Sequence, residues 1–168
     1  GQLRLLEGDI LGVDLAALLV GEAASRLVVV GNLPYNITAP LLLRLLEQRS
    51  CIDRAVLMVQ REVADRLVAA PGSRRYGQIT VQLALWAELR LLMGVEPGAF
   101  RPVPKVHSAV VECRFSAQPR CPVADEAAFR RLVRTAFGQR RKMLRNSLAG
   151  LLPPEGRSLL PEIAAAAD

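Results

Sequence analysis

The tetrapeptide Asn32-Leu33-Pro34-Tyr35 holds residue types that can act together on an amine. It directly follows residues 26–31, a β-branched run that predicts a buried strand. An exocyclic amine on an aromatic ring is a poor nucleophile because its lone pair is delocalised, so acceptors must hold its hydrogens and draw the nitrogen toward tetrahedral geometry. The Asn32 side-chain oxygen is one acceptor, and Pro34 fixes a turn that points the Leu33 carbonyl into the same site. Tyr35 offers a flat face on which a base can stack.

The same tetrapeptide also fits a tight Asn-x-Pro turn that closes a strand and performs no chemistry. Taken alone, the pattern leaves both interpretations open. The amine scheme needs no strong general base if the methyl donor is a sulfonium, because the nitrogen loses its proton after it has become charged. The single histidine, His107, is therefore interpreted as a loop or RNA-facing residue and not as a catalyst.

Strand and helix patterns alternate around this turn. Short apolar or β-branched runs predict strands at residues 3–6, 26–31, 54–60, 89–95 and 108–115. Apolar residues at helical spacing predict helices at residues 15–24, 39–48, 62–70 and 79–87. This order favours a mainly parallel sheet flanked by helices, which binds ligands at the carboxyl ends of its strands. The last two strands enclose a Pro-rich loop and predict a hairpin-like end to the sheet.

The composition changes after the last predicted strand. Residues 116–124 contain two prolines and show little periodicity, and the pattern beyond them is helical. We predict a first domain over residues 1–117, a linker over 118–124 and a small all-helical domain over 125–168.

The formal charge is +6, from 22 Lys and Arg against 16 Asp and Glu, which favours a polyanionic partner such as nucleic acid. Residues 129–154 contain no Asp or Glu. Their basic side chains are Arg130, Arg131, Arg134, Arg140, Arg141, Lys142 and Arg145. A solvated helix face is the alternative interpretation of this cluster.

Three cysteines without CxxC spacing predict neither a disulfide framework nor a zinc site, and they fit a reducing cytoplasm. No apolar run approaches the roughly 18 residues that a membrane span needs. We therefore expect a cytoplasmic, metal-free protein that does not enter membranes and acts as a monomer. The chain opens at Gly1-Gln2-Leu3 without an initiator Met, so we expect it to be a fragment.

Four sequence blocks resemble, in the same order, the KsgA family of small-subunit ribosomal RNA adenine dimethyltransferases. They lie at residues 32–37, 60–67, 100–111 and 137–146. The third contains Phe-x-Pro-x-Pro-Lys-Val-x-Ser and the fourth contains Gln-Arg-Arg-Lys-x-Leu-Arg-Asn, and these two are the most specific. The resemblance implies an α/β fold with a Rossmann-like class I methyltransferase sheet, incomplete at its N-terminal side, and a small C-terminal all-helical domain.

The resemblance also implies S-adenosylmethionine as cofactor and adenines in the rRNA of an immature small ribosomal subunit as substrate. Asp9 would bind the adenine moiety of the cofactor, and Asn32 would contact both cofactor and target. Phe100 would stack on the target base opposite Tyr35. Phosphate contacts would come from Arg74, Arg75, Lys105, Arg140, Arg141, Lys142 and Arg145.

Some features of the family are missing from the chain. Its glycine-rich loop and the acidic residue that binds the ribose hydroxyls are absent, and His107 stands where the family commonly has Asp. The chain alone is therefore expected to be inactive. Three alternatives remain open: an Erm-type large-subunit rRNA adenine methyltransferase, a DNA adenine methyltransferase, and a non-catalytic RNA-binding ribosome-assembly factor of the same fold.

Overall fold

The structure, a computed structural model, describes residues 3–22, 25–138, 144–148 and 150–151; the side chain of Arg145 is outside the description. The chain divides into two compact units, Gly1–Cys121 and Pro122–Asp168. This division falls within residues 118–124, the segment predicted as a linker. The extent of the linker itself stays a prediction.

Four strands form one sheet in the order β1-β2-β4-β3. They are β1 (Leu27–Asn32), β2 (Ile52–Gln60), β3 (Ala87–Val95) and β4 (Ser108–Phe115). β1 and β2 run parallel, whereas β4 is antiparallel to both β2 and β3. The prediction of a mainly parallel sheet is therefore wrong for the described strands. A loop without a crossover helix joins β3 to β4 and makes them antiparallel, as the predicted hairpin-like end requires.

Three helices of the first unit follow the predicted positions. They are α1 (Thr38–Glu47), α2 (Arg61–Leu67) and α3 (Gln78–Ala84). α2 and α3 each end three residues before the predicted limit. Beyond α2, Pro71 cannot donate a helical hydrogen bond and Gly72 adopts φ +82°, so the chain turns away.

Two predicted elements are absent from the described residues. Residues 3–6 were expected as a strand, but they are irregular, and Leu3 and Leu5 are each 92% exposed. An apolar run becomes a strand only beside a strand edge that takes up its N–H and C=O groups, and no described strand pairs with this one. The helix expected at 15–24 is limited to a 3₁₀ turn, Ala16–Leu19, and Gly21 with φ +81° follows it.

The core lies on one face of the sheet. Alternate residues of β2 and β4, including Leu57, Val59 and Val111, are fully buried in one apolar cluster with residues of α1, α2 and α3. On the other face of β1, Val28 and Val30 are 51% and 76% exposed. Among the described strands β1 lies at one edge of the sheet, and its carboxyl end lies at the same end of the sheet as the β3–β4 loop.

In the second unit, α4 spans Glu126–Gly138 and α5 spans Leu144–Leu148, in agreement with the predicted helical pattern. Asp125 caps α4, since its Oδ1 accepts hydrogen bonds from the N–H groups of Ala128 (3.0 Å) and Ala127 (2.8 Å). The Ala128 bond, assisted by that of Ala127 and by the charge of Arg131, lowers the pKa of the Asp125 carboxyl.

Candidate active site

A rigid turn follows β1 at the edge of the sheet. Asn32 is the last residue of β1 and is in register with Met58 of β2. The next amide, of Leu33, donates to the Met58 carbonyl over 3.2 Å. Pro34 then adopts φ −56° and ψ 133°, and its carbonyl accepts from the Ile37 N–H over 3.2 Å, which begins the 3₁₀ turn Tyr35–Ile37. The turn is thus fixed at both ends by backbone hydrogen bonds.

Both proposed amine acceptors are available. Asn32 is exposed, and its carboxamide bonds to no other described residue. Among the described residues, no N–H or O–H group donates to the Leu33 carbonyl either. The Leu33 side chain, by contrast, is 8% exposed and packs into the core, which anchors the backbone that carries this carbonyl.

A cavity of about 350 Å³ opens beside this turn. It brings together all five residues predicted to be catalytic with three further residues of the Pro-rich loop between β3 and β4. The lining residues are Asn32, Leu33, Pro34, Tyr35, Phe100, Arg101, Pro102 and Pro104. The residues that carry the two unbonded oxygen acceptors and the two aromatic rings therefore line one cavity, which suits a flat base with an exocyclic amine.

The chain is similar to known proteins over nearly its whole length. The family model described as ribosomal RNA adenine dimethylase matches residues 1–166. This chain belongs to that family. Ribosomal RNA small subunit methyltransferase A of Magnetococcus marinus is 49% identical over 159 residues, which cover 95% of this chain and 57% of the relative. The protein of the same name from Rhodospirillum rubrum is 48% identical over 93% of this chain and 52% of the relative.

Solved structures agree with this membership. A dimethyladenosine transferase from Plasmodium falciparum superposes with a TM-score of 0.66 at 28% identity, over 85% of this chain and 48% of that one. The 23S rRNA methyltransferase ErmE superposes with a TM-score of 0.63 at 27% identity, over 82% of this chain and 56% of that one. The Rossmann-like class of the fold is thereby confirmed. The chain spans about half the length of the curated relatives it matches.

Two residues at or beside this candidate site were not singled out from the sequence. Arg101 lines the cavity beside Phe100. Ser108, the buried first residue of β4, places its Oγ 3.5 Å from the Tyr35 hydroxyl oxygen. Both lie within the block 100–111 that resembles the KsgA family, so the resemblance had indicated the segment that contains them. It did not indicate which of its side chains reach the cavity.

Asp9 does not line this cavity. It is exposed and caps the 3₁₀ turn Ile10–Gly12, where its Oδ1 accepts from the Leu11 N–H over 2.9 Å. Its second carboxylate oxygen bonds to no other described residue. The expectation that Asp9 and Asn32 share one ligand stays a prediction.

The residues predicted to bind RNA are only partly described. Arg74, Arg75 and Lys105 are all exposed. The predicted residues Arg140, Arg141 and Lys142 and the side chain of Arg145 lie outside the described residues. His107 lies at the end of the Pro-rich loop, outside the cavity, with its Nδ1 3.1 Å from Oε2 of Glu96. This position fits its interpretation as a loop residue.

A second cleft, of about 370 Å³, lies at the opposite end of the strands and holds no predicted site residue. Arg26 lines this cleft and donates to the carbonyls of Ile52 and Phe115. The Arg49 guanidinium lies 3.7 Å from the centre of the Trp86 ring. These arginines hold strand ends together. The smaller cavity beside Asn32 is the better active-site candidate because it combines free acceptors with aromatic rings.

Within the described ranges, no group of three or more His, Cys, Asp and Glu side chains is arranged to hold a metal ion. None of the described helices is long and apolar enough to cross a bilayer.

Proposed function

We propose that this chain is part of an S-adenosylmethionine-dependent enzyme that dimethylates the exocyclic amines of adenines in small-subunit rRNA. The observation that carries the proposal is the single cavity lined by Asn32, Leu33, Tyr35 and Phe100. Membership of the ribosomal RNA adenine dimethylase family supports it independently. We further propose that the protein acts as a monomer in the cytoplasm on immature small subunits.

In this mechanism, the target adenine leaves its stack and lies between the rings of Tyr35 and Phe100, which replace the lost stacking. The side-chain oxygen of Asn32 and the carbonyl oxygen of Leu33 accept hydrogen bonds from the two amine hydrogens. These bonds weaken conjugation of the nitrogen with the ring, so its lone pair becomes more localised on nitrogen and more nucleophilic. When the nitrogen gains a methyl group and becomes charged, the same oxygens stabilise the charge until a proton leaves to solvent.

Asp9 and Asn32 are suited to bind part of the proposed cofactor, S-adenosylmethionine. When bound, S-adenosylmethionine supplies an electrophilic methyl group on a sulfonium. Asp9 would hold its adenine moiety, because one oxygen of this exposed carboxylate is free to accept an N–H. Asn32 would contact the cofactor beside the target amine. The cap bond from Leu11 orients the Asp9 side chain for this role.

The degree of likeness supports the proposed identity of the RNA. The curated relatives named small subunit methyltransferase A are 44–49% identical to this chain, whereas the large-subunit enzyme ErmE is 27% identical. The small-subunit substrate is therefore preferred over the Erm-type alternative. Exposed Arg74, Arg75 and Lys105, together with the basic residues of the second unit, would contact phosphates and set the position of the RNA.

The test compares Asn32→Ala with Asn36→Ala in a full-length protein that contains this chain. Both changes remove an exposed carboxamide from the same turn, but only Asn32 lines the cavity. Methyl transfer from labelled cofactor is measured with small-subunit particles, large-subunit RNA and duplex DNA. We expect transfer to small-subunit particles alone, a loss of roughly 100-fold or more in Asn32→Ala, and unchanged particle binding.

Asn36→Ala should retain nearly full activity. Unchanged transfer by Asn32→Ala would disprove the role of the turn. Faster methyl transfer to large-subunit RNA or to DNA than to small-subunit particles would show that the proposed substrate is wrong. Binding without any transfer by the unsubstituted protein would favour the non-catalytic alternative.

A further inference from the structure

Asp65 binds two arginines at once. Its Oδ1 accepts from Nε of Arg61 over 2.8 Å, and its Oδ2 accepts from a terminal nitrogen of Arg75 over 2.9 Å. The Asp65 side chain is 14% exposed, whereas those of Arg61 and Arg75 are 48% and 64% exposed. A nearly covered carboxylate therefore holds two guanidinium groups that face solvent.

The two arginines come from different parts of the fold. Arg61 is the first residue of α2, and its backbone N–H donates to the His107 carbonyl over 2.9 Å. His107 ends the Pro-rich loop that carries Phe100 to the cavity. Arg75 belongs to the segment 68–77 between α2 and α3. Asp65 thus links the basic segment to the start of α2, which is bonded to the active-site loop.

A second set of hydrogen bonds connects segment 68–77 to α2. The hydroxyl of Thr80, a buried residue, donates to the Arg66 carbonyl over 2.7 Å and accepts from the Gly77 N–H over 3.3 Å. Two backbone bonds, from Ser73 to Ala70 and from Tyr76 to Ser73, close the turns between these points. These bonds restrain the backbone on either side of Arg75, and Asp65 holds its guanidinium.

The resulting surface carries excess positive charge. Arg61 and Arg75 share the single carboxylate of Asp65, exposed Arg74 precedes Arg75 in the chain, and Glu62 is bonded to Arg66 over 2.9 Å. Arg61 and Arg75 each use one nitrogen toward Asp65, and their other N–H groups bond to no described residue. Planar guanidinium groups with free N–H donors match phosphate oxygens well.

We propose that Asp65 is a positioning residue that presents Arg61 and Arg75 to the phosphate backbone of the RNA substrate. The inference rests on the proposed function, since the RNA is the substrate assigned there. Ordering the two guanidinium groups beforehand lowers the side-chain entropy that binding would otherwise cost. Arg74 adds a neighbouring positive charge without being held by the carboxylate.

The proposal predicts an effect opposite in sign to simple electrostatics. Removing a negative charge from a protein normally strengthens its binding to a polyanion. Asp65→Asn removes one, yet it should weaken RNA binding because the uncharged amide keeps only one acceptor oxygen and can no longer hold both arginines. Glu62→Gln is the matched control, since it removes one negative charge from the same helix and leaves the Asp65 contacts intact.

The experiment measures the Kd of the full chain for protein-free small-subunit rRNA at several salt concentrations. We expect Asp65→Asn to raise Kd roughly three- to tenfold. The slope of log Kd against log salt concentration should fall by about one, as expected for the loss of one phosphate contact. Glu62→Gln should leave Kd unchanged or lower it. Arg75→Gln should weaken binding as Asp65→Asn does, and the double variant should bind little worse than Arg75→Gln alone.

Two results would overturn the inference: an Asp65→Asn protein that binds as tightly as Glu62→Gln, or fully additive effects of Asp65→Asn and Arg75→Gln. Circular dichroism and Tm identify an unfolded variant, and Arg75→Gln tests the same contact from its exposed partner. Neither result bears on the proposed chemistry, which the Asn32→Ala assay decides separately. Conversely, active Asn32→Ala protein would disprove the catalytic turn and leave the binding comparison valid.

Discussion

The hydroxyl oxygens of Tyr35 and Ser108 lie 3.5 Å apart, although 73 residues separate them along the chain. Tyr35 belongs to the turn after β1, and Ser108 begins β4 at the far end of the Pro-rich loop. The contact therefore joins the turn that carries the proposed amine acceptors to the strand that follows the Phe100 loop. Its length exceeds the usual 2.7–2.8 Å of an O–H···O bond, so it can shorten when a base enters.

This relationship predicts matched effects for Ser108→Ala and Tyr35→Phe. Each removes one hydroxyl and leaves the Tyr35 ring, so kcat should fall about two- to tenfold through loss of one neutral hydrogen bond. The double variant should be no slower than either single variant, because both remove the same interaction. Steady-state methyl transfer measures these rates. Independent, multiplying effects would show that the two hydroxyls do not act together.

Phe100 is expected to contribute stacking on the target base. Phe100→Leu keeps an apolar side chain but loses the ring, so kcat/KM for RNA should fall roughly fivefold to 100-fold, the range of one base–aromatic stack. Phe100→Tyr retains the ring and should stay close to the unsubstituted protein. Since Phe100 is half-buried in a loop, Tm should change little in both. Equal kcat/KM for the Leu and Tyr variants would argue against stacking.

Gly31 precedes the turn with the proposed amine acceptors and lies close to the Leu33 side chain. A Cβ at this position would lie 3.1 Å from Cδ2 of Leu33 and 3.6 Å from Cδ2 of Leu57. Gly31→Ala should therefore displace Leu33 by a few tenths of an ångström and lower kcat by roughly tenfold or more, with a loss of unfolding free energy of about 1–2 kcal/mol. Gly98→Ala is the control, because no atom lies within 4 Å of its Cβ position.

Methyl transfer and chemical denaturation are measured on both glycine variants. An active Gly31→Ala protein would mean that the turn tolerates movement of Leu33. A Gly98→Ala protein as impaired as Gly31→Ala would mean that the loss does not come from contact with Leu33.

Cys113 predicts a pH dependence of stability. It is fully buried on β4, and burial raises the pKa of its thiol to about 12. In the unfolded chain the thiol ionises near pH 8.5, so above this pH the folded state retains a proton that the unfolded state has lost. Stability from this group is complete below that pH and declines by about 1.4 kcal/mol per pH unit until the folded pKa is reached.

The decline is measured as the free energy of unfolding in reducing buffer between about pH 8 and pH 10, where the unfolded thiol titrates. Cys113→Val, which keeps an apolar side chain of similar size, should show a shallower decline than the unsubstituted protein. Parallel pH profiles would contradict a buried, protonated Cys113.

Much of the site was predictable because its chemistry is local in sequence. The β-branched run before Asn32 predicts β1, and Pro34 constrains its own φ and the residue before it wherever the chain goes. The amine acceptors and the aromatic Tyr35 are consequently present in one short segment. Family membership followed from blocks whose residue types are themselves unusual.

Strand direction and edge pairing were decided only in three dimensions. The apolar run at residues 3–6 has the pattern of a buried strand, yet no described strand pairs with it. Hydrophobic periodicity reports that a segment can be buried, but a strand also requires a partner backbone. In the same way, β4 follows β3 in the chain but lies between β2 and β3, an order that no local pattern contains.

The amino-acid sequence by itself determined the acceptor turn, the positions of the four described strands and the family, since each depends on neighbouring residues. Only the tertiary structure decided contacts that the sequence analysis did not indicate: Ser108 at the Tyr35 hydroxyl, and Arg61 and Arg75 at Asp65. The physical reason is that contacts between distant segments depend on how the whole sheet and its loops close. Neither residue type nor spacing along the chain carries that information.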